Sequence, residues 1–139
     1  MKIMGIDYGD ARIGLALSDD LQITAQGYDV LEVKKNRNVL EDIARIAKTE
    51  HVSLFVVGLP RNMNGTYGER AVITREFGEK LTSFTSIPIE WIDERLTTVS
   101  VNRMLVEGNV SRQKRKKVVD KLAAVLILQT YLDRSKGRP

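Results

Sequence analysis

The sequence contains no cysteine and a single histidine, His51, among its 139 residues. Without cysteine, a disulfide framework, a thiolate zinc site and a cysteine nucleophile are all excluded. The single histidine excludes a catalytic histidine pair. Any metal site must therefore be built mainly from oxygen ligands, which favours hard ions such as Mg²⁺ or Mn²⁺ over Zn²⁺.

Long apolar runs, repeats and low-complexity tracts are absent as well. Asp7 and Asp10 stand where a secretion signal needs an unbroken apolar stretch, so no such signal is predicted. Apolar residues make up 42% of the chain and charged residues 29%, a composition that excludes a disordered or membrane-spanning protein. We expect a single domain over residues 1–139.

The net charge of +4 is unevenly distributed along the chain. Residues 112–121 carry six basic side chains against the single acid Asp120, whereas the rest of the chain holds 16 basic and 17 acidic residues. A local excess of this kind predicts contact with a polyanion. The alternative is a solvated loop without a partner.

Five segments have the length and apolar content of β-strands: 2–8, 12–18, 24–33, 52–59 and 87–92. The first three are separated by short turns and predict an antiparallel meander. The fourth is a continuous apolar run, which is typical of a central parallel strand buried on both faces.

Helical periodicity follows the meander. We predict a helix capped by Asn38, a second that begins with a capping box of Thr66 and Glu69, a short helix within 97–108 and a long one over about 114–133. The long helix is expected to turn four apolar residues inward: Val118, Leu122, Val125 and Leu132. The order of elements predicts an α/β domain with a mixed five-stranded sheet, three antiparallel strands followed by parallel ones, and helices on both faces.

Asp7 lies at the end of the first predicted strand, inside an otherwise apolar run. An ionised carboxylate is costly there unless something compensates it. The pattern G-I-D-Y-G-x-x-R-I-G from Gly5 to Gly14 adds glycines that permit tight turns, and Arg12, which suits a phosphate or a neighbouring carboxylate. Asp7 is therefore a candidate site residue. The alternative is a side chain that only hydrogen-bonds the backbone of the turn.

The second acidic feature is Asp93-Glu94-Arg95, where the fifth strand ends. Carboxylates at strand ends collect at the edge of an α/β sheet, where ligands commonly bind. Because adjacent residues of an extended chain face opposite ways, at most one of the two acids should face a shared site. We favour Glu94 for its longer reach and keep Asp93 as the alternative. An acid that pairs with Arg95 or caps the next helix is the non-functional explanation.

Asp120, in the last predicted helix, is the third candidate. Ala123 and Ala124 lie one turn further along on nearly the same face, so the helix can approach the sheet closely and bring Asp120 near Asp7. A pair with Lys116 is the alternative. Three converging carboxylates would repel one another without divalent cations, and a pair of Mg²⁺ or Mn²⁺ ions can activate water for attack on a phosphodiester. The predicted metal ligands are Asp7, Asp93, Glu94 and Asp120.

Four segments, GIDYGDARIG, VVGLPRNMNG, DERLTT and DKLAAVLIL, occur in this order between Gly5 and Leu128 and span nearly the whole chain. Together they resemble the YqgF-type pre-16S rRNA nucleases, also called Holliday-junction-resolvase-like proteins. The resemblance implies an RNase H-like fold, a cytoplasmic bacterial protein and hydrolysis near the 5′ end of precursor small-subunit rRNA. The catalytic residues it implies are Asp7, Glu94 (or its neighbour Asp93) and Asp120.

One departure from many RNase H-like nucleases concerns the second acid. They carry it on the fourth strand, and segment 52–59 contains none, so either Glu94 supplies it from the next strand or the site is incomplete. The expected nucleic-acid contacts are basic and amide side chains near the strand ends and ahead of Asp120: Arg12, Arg61, Asn64, Arg95, Arg112, Lys114, Arg115, Lys116 and Lys117.

The leading interpretation is a metal-dependent nuclease acting on structured RNA such as precursor rRNA or the ribosome. Resolution of branched, four-way DNA is a second enzymatic interpretation, and an RNA- or ribosome-binding factor without turnover is a third. An actin- or hexokinase-like ATPase is disfavoured because such enzymes bind nucleotide between two domains of this type. Monomer and dimer both stay open.

Overall fold

The computed structural model describes residues 1–62, 64–94 and 112–135, with residues 112–117 described as helix backbone only. The elements follow the order β1 (Lys2–Tyr8), β2 (Arg12–Ser18), β3 (Ala25–Glu32), α1 (Val39–Thr49), β4 (Val52–Leu59), α2 (Glu69–Thr85), β5 (Ile89–Asp93) and α3 (Arg112–Ser135). The five predicted strands are confirmed, with small shifts at the ends of β3 and β5. The short helix predicted within 97–108 lies outside the described residues.

The five strands form one mixed sheet in the order β3-β2-β1-β4-β5. β2 is antiparallel to β1 and β3, because three-residue and six-residue connections leave room only for the chain to turn back. β4 is parallel to β1, and β5 is parallel to β4, since α1 and α2 carry the chain back between these strands. The carboxyl ends of β1, β4 and β5 therefore meet at one side of the sheet, which we call the carboxyl edge.

The sheet separates two apolar cores, as the predicted layers require. One core joins α1 and α2 to the sheet through Ile43, Phe77 and Leu81, which pack with Met4, Ile6 and Phe55. The other joins α3 to the opposite face through Ala124, Ile127 and Leu128, which pack with Ile3, Val56 and Ile92. Met4 and Ile6 of β1 thus face α1 and α2, whereas Ile3 faces α3.

The two predicted helix caps had different outcomes. Asn38 caps α1 as expected, and its side chain accepts a hydrogen bond from the backbone N–H of Glu41 at 3.1 Å. The capping box at Thr66 is wrong, because α2 begins after Gly68. The Thr66 hydroxyl instead donates to Asn64 Oδ1 at 2.6 Å, so the side chain serves the loop before the helix.

The long helix α3 is confirmed, but only part of its predicted inward face is buried. Leu132 is buried as expected and Leu122 and Val125 are half-buried, whereas Val118 is 45% exposed. The other buried residues are Ala123, Ala124, Ile127 and Leu128. The reason is a backbone contact with β1. A Cβ placed on Gly5 would lie 2.7 Å from Leu128 Cβ and 2.8 Å from the carbonyl oxygen of Ala124. Because α3 lies so close to the sheet, the helix residues at the closest contact must be small, and Ala123 and Ala124 meet this requirement. No helix in the described ranges has the length and apolar character needed to cross a membrane.

Candidate active site

Asp7 is a buried carboxylate next to the carboxyl edge, with only 6% of its surface exposed. It pairs with Gly14 of β2, and directly opposed residues of antiparallel strands share a face of the sheet. A Cβ on Gly14 would collide with the backbone carbonyl of Asp120 in α3. The side chain of Asp7 therefore lies on the face that α3 covers, beside the turn of α3 that contains Asp120.

The Asp120 carboxylate is bound by Arg12. Arg12 Nε donates to Asp120 Oδ2 at 2.6 Å, and the two side chains are 26% and 16% exposed. The close approach of α3 to the sheet does bring the Asp120 turn opposite Asp7, as the small residues Ala123 and Ala124 suggested. The sequence left Arg12 two partners, a phosphate or a neighbouring carboxylate, and in the structure it binds the carboxylate of Asp120.

Glu94 reaches the same face by crossing β4. A Cβ on Gly58 of β4 would lie 2.8 Å from Glu94 Oε1 and 2.6 Å from Ile127 Cδ1 of α3. The Cβ position of Gly58 lies on one face of β4, so the two side chains close to it, Glu94 and Ile127, lie on the same face. Because Ile127 belongs to α3, this is the face that α3 covers. Gly58 stands where an acid on the fourth strand would occupy this space, so its missing side chain gives Glu94 room to extend over the strand.

Asp93, the neighbour of Glu94, lies at the end of β5 and binds a different partner. Its Oδ2 accepts a hydrogen bond from Arg61 Nη1 at 3.3 Å. Arg61 also donates to the carbonyl of Gly65 and lies over the ring of Tyr67, 4.5 Å from the ring centroid. Asp93 and Arg61 thus shape the loop that follows β4.

Asn64 is a further loop residue among the predicted nucleic-acid contacts. Its Oδ1 accepts hydrogen bonds from both the backbone N–H and the hydroxyl of Thr66. The Asn64 side chain therefore fixes the turn of this loop, and a contact with nucleic acid stays a prediction for Asn64 and for Arg61.

The donor set on the α3 face suits a hard divalent cation. Asp7, Glu94 and Asp120 supply only carboxylate oxygens, the ligands that Mg²⁺ and Mn²⁺ prefer. Over residues 1–62, 64–94 and 112–135, no three acidic or histidine side chains already form a metal-binding cluster. Asp7, Glu94 and Asp120 suit such an ion because all three offer carboxylate oxygens and lie on the same face of the sheet. Arg12 binds one Asp120 oxygen, Oδ2, and its positive charge competes with a cation for this carboxylate.

The basic segment ahead of Asp120 begins α3. Asp120 lies over Gly14, which pairs with Asp7 near the carboxyl end of β1, and Leu128 lies over Gly5, further from that end. From Asp120 onward, α3 therefore runs away from the carboxyl edge. Arg112 starts the helix eight residues before Asp120, roughly 12 Å along the axis, and this end points outward beyond the edge. The side chains of Arg112, Lys114, Arg115, Lys116 and Lys117, and all of Arg95, lie outside the described residues.

Comparison with known proteins identifies the family. The family model described as "RuvX: Holliday junction resolvase" matches residues 1–134. The chain belongs to the RuvX family. A "Putative pre-16S rRNA nuclease" from Symbiobacterium thermophilum is 51% identical over 142 residues, covering 100% of this chain and 96% of the relative. A protein of the same description from Carboxydothermus hydrogenoformans is 51% identical over 134 residues, 96% of each chain. The resemblance drawn from the four sequence segments is confirmed, and the chain is a member of a nuclease family.

Solved structures of more distant proteins show the same fold. T. thermophilus RuvC, in complex with a Holliday junction substrate, superposes with a TM-score of 0.60 at 13% identity and covers 99% of this chain and 96% of its own. A fowlpox virus resolvase in complex with Holliday junction DNA gives a TM-score of 0.56 at 10% identity, with 97% and 99% covered. The predicted RNase H-like fold is confirmed.

Two features of this site could not be fixed from the sequence. A carboxylate was one of the partners expected for Arg12, but its identity was not, because Asp120 lies 108 positions away along the chain. The role of Gly58 was missed for a similar reason. A glycine in an apolar strand signals a close approach, but not which chain segment fills the space.

Proposed function

We propose that this RuvX-family protein is a divalent-metal-dependent nuclease that hydrolyses phosphodiester bonds in structured RNA, near the 5′ end of precursor 16S rRNA. The observation that carries the proposal is the buried carboxylate of Asp7 on the same face as Glu94 and Asp120 at the carboxyl edge. A carboxyl group buried in an apolar strand and sharing its face with two further acids is typical of a functional site. The description of the close relatives as pre-16S rRNA nucleases supports the choice of substrate.

In this proposal Asp7, Glu94 and Asp120 would hold Mg²⁺ or Mn²⁺. When bound, such ions would supply a more acidic water and stabilise the negative charge of the leaving oxygen. In the overall reaction the water oxygen would bond to phosphorus and the bridging P–O bond would break, with one water proton passing through solvent to the leaving oxygen. Burial of Asp7 fixes the position of its carboxylate. The basic start of α3 binds neighbouring phosphates and brings the strand to the edge.

Arg12 has a separate role in the proposal, as the counter-ion of Asp120 before metal binds. We expect Arg12→Met to tighten Mn²⁺ binding by about fivefold, because the variant no longer has a cation that competes for the carboxylate. The variant should also have a lower melting temperature in chelator, since the acids then repel one another unscreened. Titration of the melting temperature with Mn²⁺ measures both effects.

A matched control for this change is Arg37→Met. Arg37 forms an ion pair of similar length, 2.7 Å, with Asp42 in the first turn of α1, on the face of the sheet opposite α3. This variant should bind Mn²⁺ like the wild type. Equal Mn²⁺ affinity for Arg12→Met and the wild type would contradict the proposed exchange.

The function itself is tested by offering the purified protein three substrates in parallel. These are an RNA that joins a 5′ precursor extension to the start of 16S rRNA, a four-way DNA junction and a linear DNA duplex. Each is incubated with Mg²⁺, with Mn²⁺ or with chelator. We expect the RNA to be cut with either metal and to stay intact in chelator.

The other outcomes separate the alternatives. Cleavage of the junction in preference to the RNA would support a resolvase, the activity by which the matching family and the fowlpox virus fold relative are described. Binding of the RNA without cleavage under any metal condition would support a binding factor. Cleavage that persists in chelator would overturn the metal-dependent mechanism. A bacterial rRNA substrate would place the activity in the cytoplasm.

A further inference from the structure

Four side chains form a column of alternating cations and aromatic rings on the α2 side of the sheet. The guanidinium carbon of Arg61 lies 4.5 Å from the ring centroid of Tyr67. The guanidinium of Arg75, on α2, lies 5.1 Å from the Tyr67 ring and 5.9 Å from the Trp91 ring. Distances below 6 Å are typical of cation–π contacts.

One end of the column is anchored beside the candidate active site. Arg61 is held by Asp93, the chain neighbour of Glu94, and by the carbonyl of Gly65. The other end is fixed by packing. A Cβ on Gly78 of α2 would lie 2.6 Å from Trp91 Cη2, so the missing side chain at this position lets the Trp91 ring lie close against the helix.

Arg75 is the exposed cation of the column. Among the described residues, no acidic side chain lies within 4 Å of its guanidinium, whereas Arg61 is paired with Asp93. A guanidinium that stacks on an aromatic face keeps its N–H groups in its own plane, directed outward, where they match the oxygens of a phosphate. Tyr67, 51% exposed, holds this group in place and limits the entropy lost when a ligand binds.

We propose that Arg75 binds a backbone phosphate of the nucleic-acid strand that crosses the carboxyl edge. This subsite rests on the proposed function, since it assumes a nucleic-acid substrate. It lies on the face of the sheet opposite α3, so the strand contacts the basic start of α3 on one side of the edge and Arg75 on the other. Arg61 and Tyr67 then act as positioning residues for Arg75.

The test is a binding measurement by fluorescence anisotropy in chelator, which prevents metal-dependent cleavage. The probes are the RNA with its 5′ precursor extension and the four-way DNA junction. Arg75→Ala should weaken binding about fivefold at low salt and lower the slope of log Kd against log salt concentration by about one. Arg75→Lys should keep the slope but lose part of the affinity, because an ammonium does not form the planar stack. Tyr67→Leu should behave like a milder Arg75→Ala.

Lys80→Ala is the matched control, since it removes one positive charge from the same helix where Lys80 lines a surface with Leu40 and Ser83. It should leave the affinity and the salt slope at wild-type values. The inference is overturned if Arg75→Ala binds like the wild type, or if Lys80→Ala loses as much affinity. A wild-type protein that binds neither probe would overturn the proposed function as well, so the two failures are distinguishable.

Discussion

Asp7→Asn is expected to lower the rate of metal-dependent RNA cleavage by about three orders of magnitude or more. The carboxamide is almost the same size as the carboxylate but carries no charge to hold a divalent cation. Single-turnover cleavage of the precursor RNA in Mg²⁺ or Mn²⁺ measures the rate. The rise in melting temperature that Mn²⁺ gives the wild type should also disappear in the variant, which provides a readout that does not depend on cleavage.

The same variant should remain folded. Asp7 shares the α3 face with Glu94 and Asp120, and the carboxamide keeps the size of the carboxyl group while removing repulsion between the acids. We expect a melting temperature in chelator within about 3 °C of the wild type, or above it. The control is Asp10→Asn, three residues along the chain, where the side chain is 76% exposed and pairs with Arg70. Wild-type cleavage by folded Asp7→Asn would remove Asp7 from the mechanism.

Gly14→Ala is expected to have the largest effect on stability. Its new methyl group would collide with the backbone carbonyl of Asp120, and neither a strand nor a helix backbone can move aside locally. Such overpacking should cost about 3 kcal/mol and lower the melting temperature by about 10 °C. Molecules that still fold should cleave about 100-fold more slowly, because α3 and Asp120 are displaced from Asp7 by a fraction of the methyl diameter.

Gly27→Ala provides the comparison for this prediction. Gly27 lies on β3 and also faces α3, but a Cβ there would meet side chains and no backbone: the Cγ and Cδ of Lys121 at 2.6 Å and the Cγ2 of Val125 at 3.7 Å. A flexible lysine can turn away, so this variant should melt within about 2 °C of the wild type and cleave normally. Equal losses of stability in the two variants would show that the close approach of the α3 backbone to Gly14 does not make this position more sensitive than Gly27.

Much of the fold could be predicted because the signals are local. The continuous apolar run of β4 and the short turns around β2 report on neighbouring residues, and Asn38 caps the helix that begins beside it. The full inward face of α3 could not be read in this way. Apolar spacing placed Val118 on that face, whereas the contact with Gly5 places Ala124 and Leu128 there.

For the candidate site, the sequence by itself determined which residue types are available: carboxylates without cysteine or histidine partners, one of them in an apolar strand. Alternation along β5 also separated Glu94 from Asp93. Only the tertiary structure decided that Arg12 binds Asp120, that Gly58 admits Glu94 and that Arg75 stacks on Tyr67. Periodicity reports the burial of residues along a single segment. Contacts between segments depend on where a helix crosses the sheet. In this protein Gly5 and Gly14 determine where α3 crosses, because they allow its backbone to touch the strands.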